Sequence, residues 1–217
     1  AKAIVFDLHG NGGGNSLWGN AILSAIYGED YVNQQSAVTQ SKTQVHWRLS
    51  EGNITYIAYL VSVLEQRGQS DYATLFKDRV VAMAAARYQG DSLWAAPAQR
   101  QSGETQTPAR PNPVKAKVFA LTDAGCASAC LDFMDVALSL GGVAHIGYPT
   151  ASDTSYLEIR LLDLPSGYGE IVMPIKTYRD RVRGNGENYK PSHQYDAFDW
   201  SQDALQRWFF QTIWTQG

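Results

Sequence analysis

The chain has 217 residues, with 18 Lys+Arg against 21 Asp+Glu, a formal net charge of −3, and 44% hydrophobic and 12% aromatic content. That apolar content excludes a disordered chain, and the missing basic excess leaves no electrostatic footprint for nucleic acid. No apolar run approaches the roughly 20 residues of a membrane helix, and the length suits one domain with a sizeable core.

In chain order, Ala3 to His9 reads as a buried strand, and a core strand this early suggests a mature portion of something longer. Gly10-Asn-Gly-Gly-Gly14 follows as a loop. Leu17, Trp18, Ala21, Ile22, Ala25 and Ile26 then have helical spacing, and Gly28 stands where a helix end favours positive φ. Residues 29–113 read as a helical insertion capping the sheet. It holds an amphipathic helix through Ile54, Ile57, Ala58, Val61 and Leu64, another over 72–88, and a mobile, Pro-rich connection ending at Pro113.

Lys117 to Ser128 then repeats the opening. Val5-Phe6 falls on Val118-Phe119, Leu8 on Leu121, Gly12 on Gly125 and Gly28 on Gly141, so a strand–turn–helix unit occurs twice. Val143–Gly147 is a short strand; Tyr156–Leu164 and Glu170–Ile175 are two more, parted by Pro165-Ser-Gly167. Leu205, Trp208, Phe209 and Ile213 share one face of a terminal helix. The class is α/β, a single core over 1–217. Cys126 and Cys130 are too few for structural zinc and too close for a strongly stabilising crosslink; they read as small buried residues, with a local disulfide as the alternative.

A glycine-rich turn between strand and helix serves either a phosphate or an oxyanion. The loop fits the dinucleotide fingerprint poorly, since Asn15 stands where the third glycine belongs, and no Lys-Ser/Thr pair makes a P-loop. The plain alternative is a tight turn that merely needs glycine. Ser128, at the start of the second helix, has amide neighbours suited to a developing anion. By itself a Ser there is most often an N-cap; opposite a glycine loop it becomes a candidate nucleophile.

Asp7-Leu-His-Gly-Asn-Gly-Gly-Gly14 and Gly125-Cys-Ala-Ser-Ala-Cys130, followed by Ile146-Gly-Tyr-Pro-Thr150, resemble the serine peptidases of the carboxy-terminal processing and tricorn family. The resemblance covers residues 3–28 and 117–191. It implies a crotonase-like (Clp-protease-like) core of repeated ββα units. It implies Ser128 as nucleophile, an oxyanion hole from the Gly13 and Ala129 amides, and a substrate peptide that adds as a strand at the sheet edge. His9, Gly12, Gly14 and Asp153 are the expected substrate-binding residues. His9 replaces the family's Arg, and Asp153 stands where the processing branch carries its Lys base. Glu187, in Asn185-Gly-Glu-Asn-Tyr-Lys-Pro191, resembles the tricorn-branch Glu, whose His partner would precede residue 1. His46 reads as a surface or lid residue, His145 as structural, and His193 as a residue only geometry can assign.

The expected function is serine-type peptide hydrolysis on extended peptides or unfolded protein, with no metal or organic cofactor and an upstream domain of the same polypeptide as a candidate partner; the resemblance implies a location in the bacterial periplasm or otherwise outside the cytoplasm. The insertion and Pro-rich stretch would act as a lid. The alternatives are an inactive peptide- or protein-binding module on the same fold and an acyl-CoA enzyme of crotonase type.

Overall fold

A computed structural model describes residues 1–97 and 110–216. In chain order the elements are β1 (Ala3–Asp7), α1 (Ser16–Tyr27), α2 (Glu29–Gln40), β2 (Gln44–Arg48), α3 (Glu51–Gln66), α4 (Ser70–Tyr88) and β3 (Leu93–Ala95). Then come β4 (Lys117–Thr122), α5 (Ala129–Ser139), β5 (Val143–Gly147), β6 (Tyr156–Asp163), β7 (Glu170–Arg179), β8 (His193–Gln194) and α6 (Gln202–Trp208). A π-helical turn, Phe209–Ile213, extends α6. The class is mixed α/β. The chain divides into two compact units.

The first unit is built on a parallel sheet in the order β1-β4-β5-β8. Alternate residues of β4 face opposite layers: Val118 and Ala120 join the core with α1 and α5, while Phe119 and Leu121 join Ile146, Leu205 and Ile213. Both strand–loop–helix copies form, β1 into α1 and β4 into α5, and Gly28 ends α1 with φ 84°. The tail face packs as its spacing requires, with Trp208 and Phe209 against buried Leu205 and Ile213.

Two expectations for this unit need correction, the buried first strand and the free cysteines. β1 is an edge strand, with only Phe6 buried, because among the described residues only β4 pairs with it. On α1 the buried residues are Leu23 and Tyr27, whereas Leu17, Trp18 and Ile22 are exposed. Apolar residues cover much of that helix, and α5 meets only one strip of it. Cys126 and Cys130 are buried, as expected, but joined in a disulfide rather than free.

The second unit holds an antiparallel sheet, β3-β2-β7-β6, and the pair α3–α4. Its core is Trp47, Leu49, Ile57, Met83 and Ile175. The 29–113 segment is therefore not wholly helical. β2 and β3, short and without clear alternation, are strands because β7 supplies β2 with a ladder through Gln44↔Arg179 to Trp47↔Lys176, and β2 in turn pairs with β3. The expected 54–64 and 72–88 helices are α3 and α4. Pro165-Ser-Gly167 forms the β6–β7 turn, closed by Leu164 N–H to the Gly169 carbonyl at 2.8 Å. Residues 98–109 of the Pro-rich connection lie outside the described residues. Among those described, no helix is long and apolar enough to cross a membrane.

His145 on β5 is buried, in keeping with its structural reading. Its Nε2 lies 2.7 Å from Thr122 Oγ1, and that hydroxyl donates to the Tyr148 carbonyl at 2.7 Å. The Thr122 oxygen therefore accepts from a protonated Nε2. Burial pushes the imidazole pKa down to about 4, with the Lys190 backbone acting in the opposite sense. The unfolded chain, with a pKa near 6.5, binds this proton first, so the contribution is fully present above about pH 6.5 and fades toward pH 4. Urea midpoints are expected to show a loss of up to about 3 kcal/mol across that interval from this group. His145→Asn is expected to remove that part of the slope.

Candidate active site

Residues after β1, β4 and β5 meet at the carboxyl ends of these parallel strands, where open α/β sheets hold their ligands. Ser128 occupies the first position before α5. Its backbone has φ 54° and ψ −120°, a region that residues with side chains avoid at a cost on the order of 1–3 kcal/mol. Its hydroxyl makes no capping hydrogen bond. Asn15, Ser50 and Ser201, which precede other helices, all cap through their side chains. The ordinary N-cap role is thus not the one Ser128 plays, and the residue is exposed.

The turn is held from several sides. Leu131 and Asp132 amides donate to the Ser128 carbonyl at 2.8 and 3.1 Å, and the Cys130 amide donates to the Ala127 carbonyl at 3.0 Å. Ala129 opens the helix, where an N–H has no acceptor in a preceding turn. Gly13 presses against this structure from the first loop. A Cβ on Gly13 would stand 2.8 Å from Ser128 Cβ, 2.9 Å from the Ala127 carbonyl oxygen and 3.1 Å from the Ala129 nitrogen. With φ 112° as well, only glycine fits.

Two residues absent from the sequence reading of the site stitch the loops together. Asp123 accepts the Gly10 amide on Oδ2 and the Gly125 amide on Oδ1, each at 2.9 Å. Asn11 accepts the Ala127 amide on its carbonyl at 3.3 Å and the Gly13 amide on Oδ1 at 3.0 Å. Asn11 lay inside the quoted motif, but nothing in a linear motif says which amide its side chain takes. Asp123 had no signal beyond its place after a strand.

Glu187 is exposed, on a segment that is itself well tied. Thr150 and Tyr189 exchange hydrogen bonds at 3.0 Å, Asn188 Nδ2 donates to the Thr150 carbonyl at 3.2 Å, and the Gly186 amide donates to the Asp153 carbonyl at 2.8 Å. The Ala151 amide in turn donates to the Cys126 carbonyl at 3.1 Å, and Tyr189 Oη donates to Asp135 on α5 at 2.6 Å. The loop carrying Asp153 and the segment carrying Glu187 are thereby joined to the Ser128 turn and its helix.

His9 is exposed, with Nδ1 2.6 Å from Asp7 Oδ1. A carboxylate only accepts, so Nδ1 carries the proton and a neutral ring presents Nε2 as an acceptor. Its ring lies 6.2 Å from that of Trp200. Gly12 and Gly14 are exposed on the same loop. His193, on β8, contacts Ser192 Oγ through Nδ1 at 3.1 Å. His46 lies on β2 in the second unit.

The sequence matches the family described as Peptidase family S41 over residues 1–192. No curated protein matches it. Among solved structures, mature CPAF aligns with a TM-score of 0.51 at 15% identity, covering 89% of this chain and 39% of that one. CPAF complexed with lactacystin aligns with a TM-score of 0.52 at 14% identity and the same coverage. A lipoprotein from Streptococcus agalactiae aligns with a TM-score of 0.39 at 13% identity, covering 98% of this chain and 55% of that one. The photosystem II D1 C-terminal processing protease aligns with a TM-score of 0.39 at 12% identity, covering 90% of this chain and 35% of that one. The chain thus spans 35% to 55% of these structures' lengths.

Two substitutions probe the stitching. Gly13→Ala is expected to force the loops apart, read as faster amide exchange over residues 123–131, with a modest effect on the thermal midpoint. Asp123→Ala leaves the exposed Gly10 and Gly125 amides to solvent. It is expected to cost about 1 kcal/mol in urea unfolding.

Proposed function

The chain belongs to peptidase family S41, and from that premise we propose that it hydrolyses peptide bonds by acyl transfer to Ser128. The observation that carries the reading is a serine held at positive φ at a helix start, its hydroxyl unused as a cap, with a glycine loop pressed against it. Once a base removes its proton, Ser128 Oγ attacks the peptide carbonyl. The amine leaves with a proton, and water then releases the acyl group and regenerates the serine.

The carbonyl oxygen that becomes negative would rest on the Ala129 and Gly13 amides. In the resting loop Asn11 Oδ1 already accepts from Gly13, so in this reading the substrate oxygen takes the place of that side-chain oxygen. Developing negative charge makes it the stronger acceptor. The Asn11–Gly13 bond then holds the amide oriented until substrate arrives. Glu187 is assigned to the orientation of the base, as in the tricorn branch. His9, Gly12, Gly14 and Asp153 are assigned to contacts with an extended peptide.

The repeated strand–loop–helix units support a crotonase-like core, with the whole chain serving as one catalytic portion and 29–113 as its insertion. The disulfide supports an extracytoplasmic location, since reducing compartments rarely retain such bonds.

The test is intact mass after incubation with a fluorophosphonate. One adduct is expected on the wild-type chain, mapped to Ser128, and none on Ser128→Ala. His9→Ala is expected to keep the adduct while weakening binding of an extended peptide. No adduct, combined with measurable peptide binding, would leave the inactive binding module as the reading.

A further inference from the structure

Cys126 and Cys130 stand two residues before and two residues after Ser128, and their disulfide closes a small ring with Ser128 at its centre. Both cysteines are buried, 0% and 1% exposed, in the core cluster that seats α5 through Leu131, Phe133 and Met134. The ring is therefore anchored from beneath while Ser128 is presented to solvent. Its backbone is gripped as well. The Cys126 amide donates to the Asp123 carbonyl at 3.1 Å, and the Cys126 carbonyl accepts from Ala151.

A crosslink spanning four residues removes little freedom from the unfolded chain, so overall stability is the lesser part of what it supplies. What it restrains is the interval in which Ser128 adopts φ 54° and ψ −120°. A side-chain-bearing residue leaves that region unless its surroundings over-determine it. With the ring open, Ser128 is free to relax toward ordinary N-cap geometry, in which its hydroxyl turns inward to the helix amides.

We propose that the Cys126–Cys130 disulfide is a positioning element for Ser128, and that opening it converts an exposed, reactive hydroxyl into an unreactive helix cap. The proposal rests on the reading of Ser128 as the nucleophile. The switch is a two-electron exchange. A dithiol such as dithiothreitol cleaves the S–S bond and becomes a cyclic disulfide, while Cys126 and Cys130 each end as a thiol with one proton.

The experiment uses the full chain in four forms: oxidised, reduced with dithiothreitol, re-oxidised, and the double variant Cys126→Ala/Cys130→Ala. Thiol titration establishes the redox state of each. Fluorophosphonate labelling is measured against probe concentration, and amide exchange is followed over residues 123–139. Opening the ring is expected to lower the limiting labelling rate about tenfold or more, a barrier change of about 1.4 kcal/mol. The half-saturating concentration should change by less than about threefold, since orientation rather than binding is lost. Re-oxidation should restore the rate. Exchange should quicken at 126–131 and not at 133–139. An unchanged limiting rate in the fully reduced chain overturns the proposal. If the oxidised chain takes no label, the nucleophile reading falls by itself. Exchange then decides the positioning claim: quickening confined to 126–131 supports it, and unchanged exchange overturns it. If the double variant does not fold, the reduced and re-oxidised wild-type chains carry the same comparison.

Discussion

The close approach of Gly13 to the Ser128 turn is the constraint on which the first unit depends. Two loops far apart in sequence meet with space for a hydrogen atom and no more. Contact that tight needs the strands beneath to be fixed first. β1 and β4 pair in parallel through Ala3↔Lys117 to Asp7↔Leu121, so both loops leave the sheet at the same end. The Leu8 amide extends the ladder to Leu121 at 2.8 Å, and Asp123 and Asn11 hold the loops against each other above it. Polar groups at the surface here do what a packed core does below: they leave the backbone one arrangement.

That rigidity bears directly on the Ser128 hydroxyl. A serine hydroxyl at the start of a helix normally satisfies a helix amide, and doing so lowers its availability. At Ser128 the backbone is rotated so that this bond is not made. Hydrogen bonds to the Ala127 and Ser128 carbonyls, the disulfide and the Gly13 contact together offset the conformational cost. Unfavourable dihedrals that survive because their surroundings over-determine them are a recurrent feature of functional sites.

The second unit follows a different logic. Its sheet is antiparallel, its core is centred on Trp47, and its charged groups serve packing. The Lys176 ammonium lies 4.4 Å from the Trp47 ring centre and pairs with Glu158, while Arg79 lies 5.3 Å from the same ring. Cations over an aromatic face retain some compensation for lost hydration. Burial nevertheless moves the Arg79 pKa below its ordinary value, with Glu158 and Tyr178 acting the other way.

Local order was legible in the residues themselves. Glycine after an apolar strand, a helical spacing with a glycine stop, and the return of both at Val118 were enough to place β1, α1, β4 and α5, and with them Ser128 as a candidate. Periodicity reports which residues are apolar on one element, not which neighbour covers them. Hence the pattern predicts a buried strand where β1 lies at an edge, and it does not say that Leu23 and Tyr27, rather than Leu17, Trp18 and Ile22, are the covered residues of α1. β2 and β3 have little strand signal of their own because β7 stabilises the ladder they join. The Cys126–Cys130 bond, the amides taken by Asp123 and Asn11, and the positive φ of Ser128 were decided by tertiary structure. Each depends on distances set by other segments, and a one-dimensional pattern holds spacing along the chain but no distance across it.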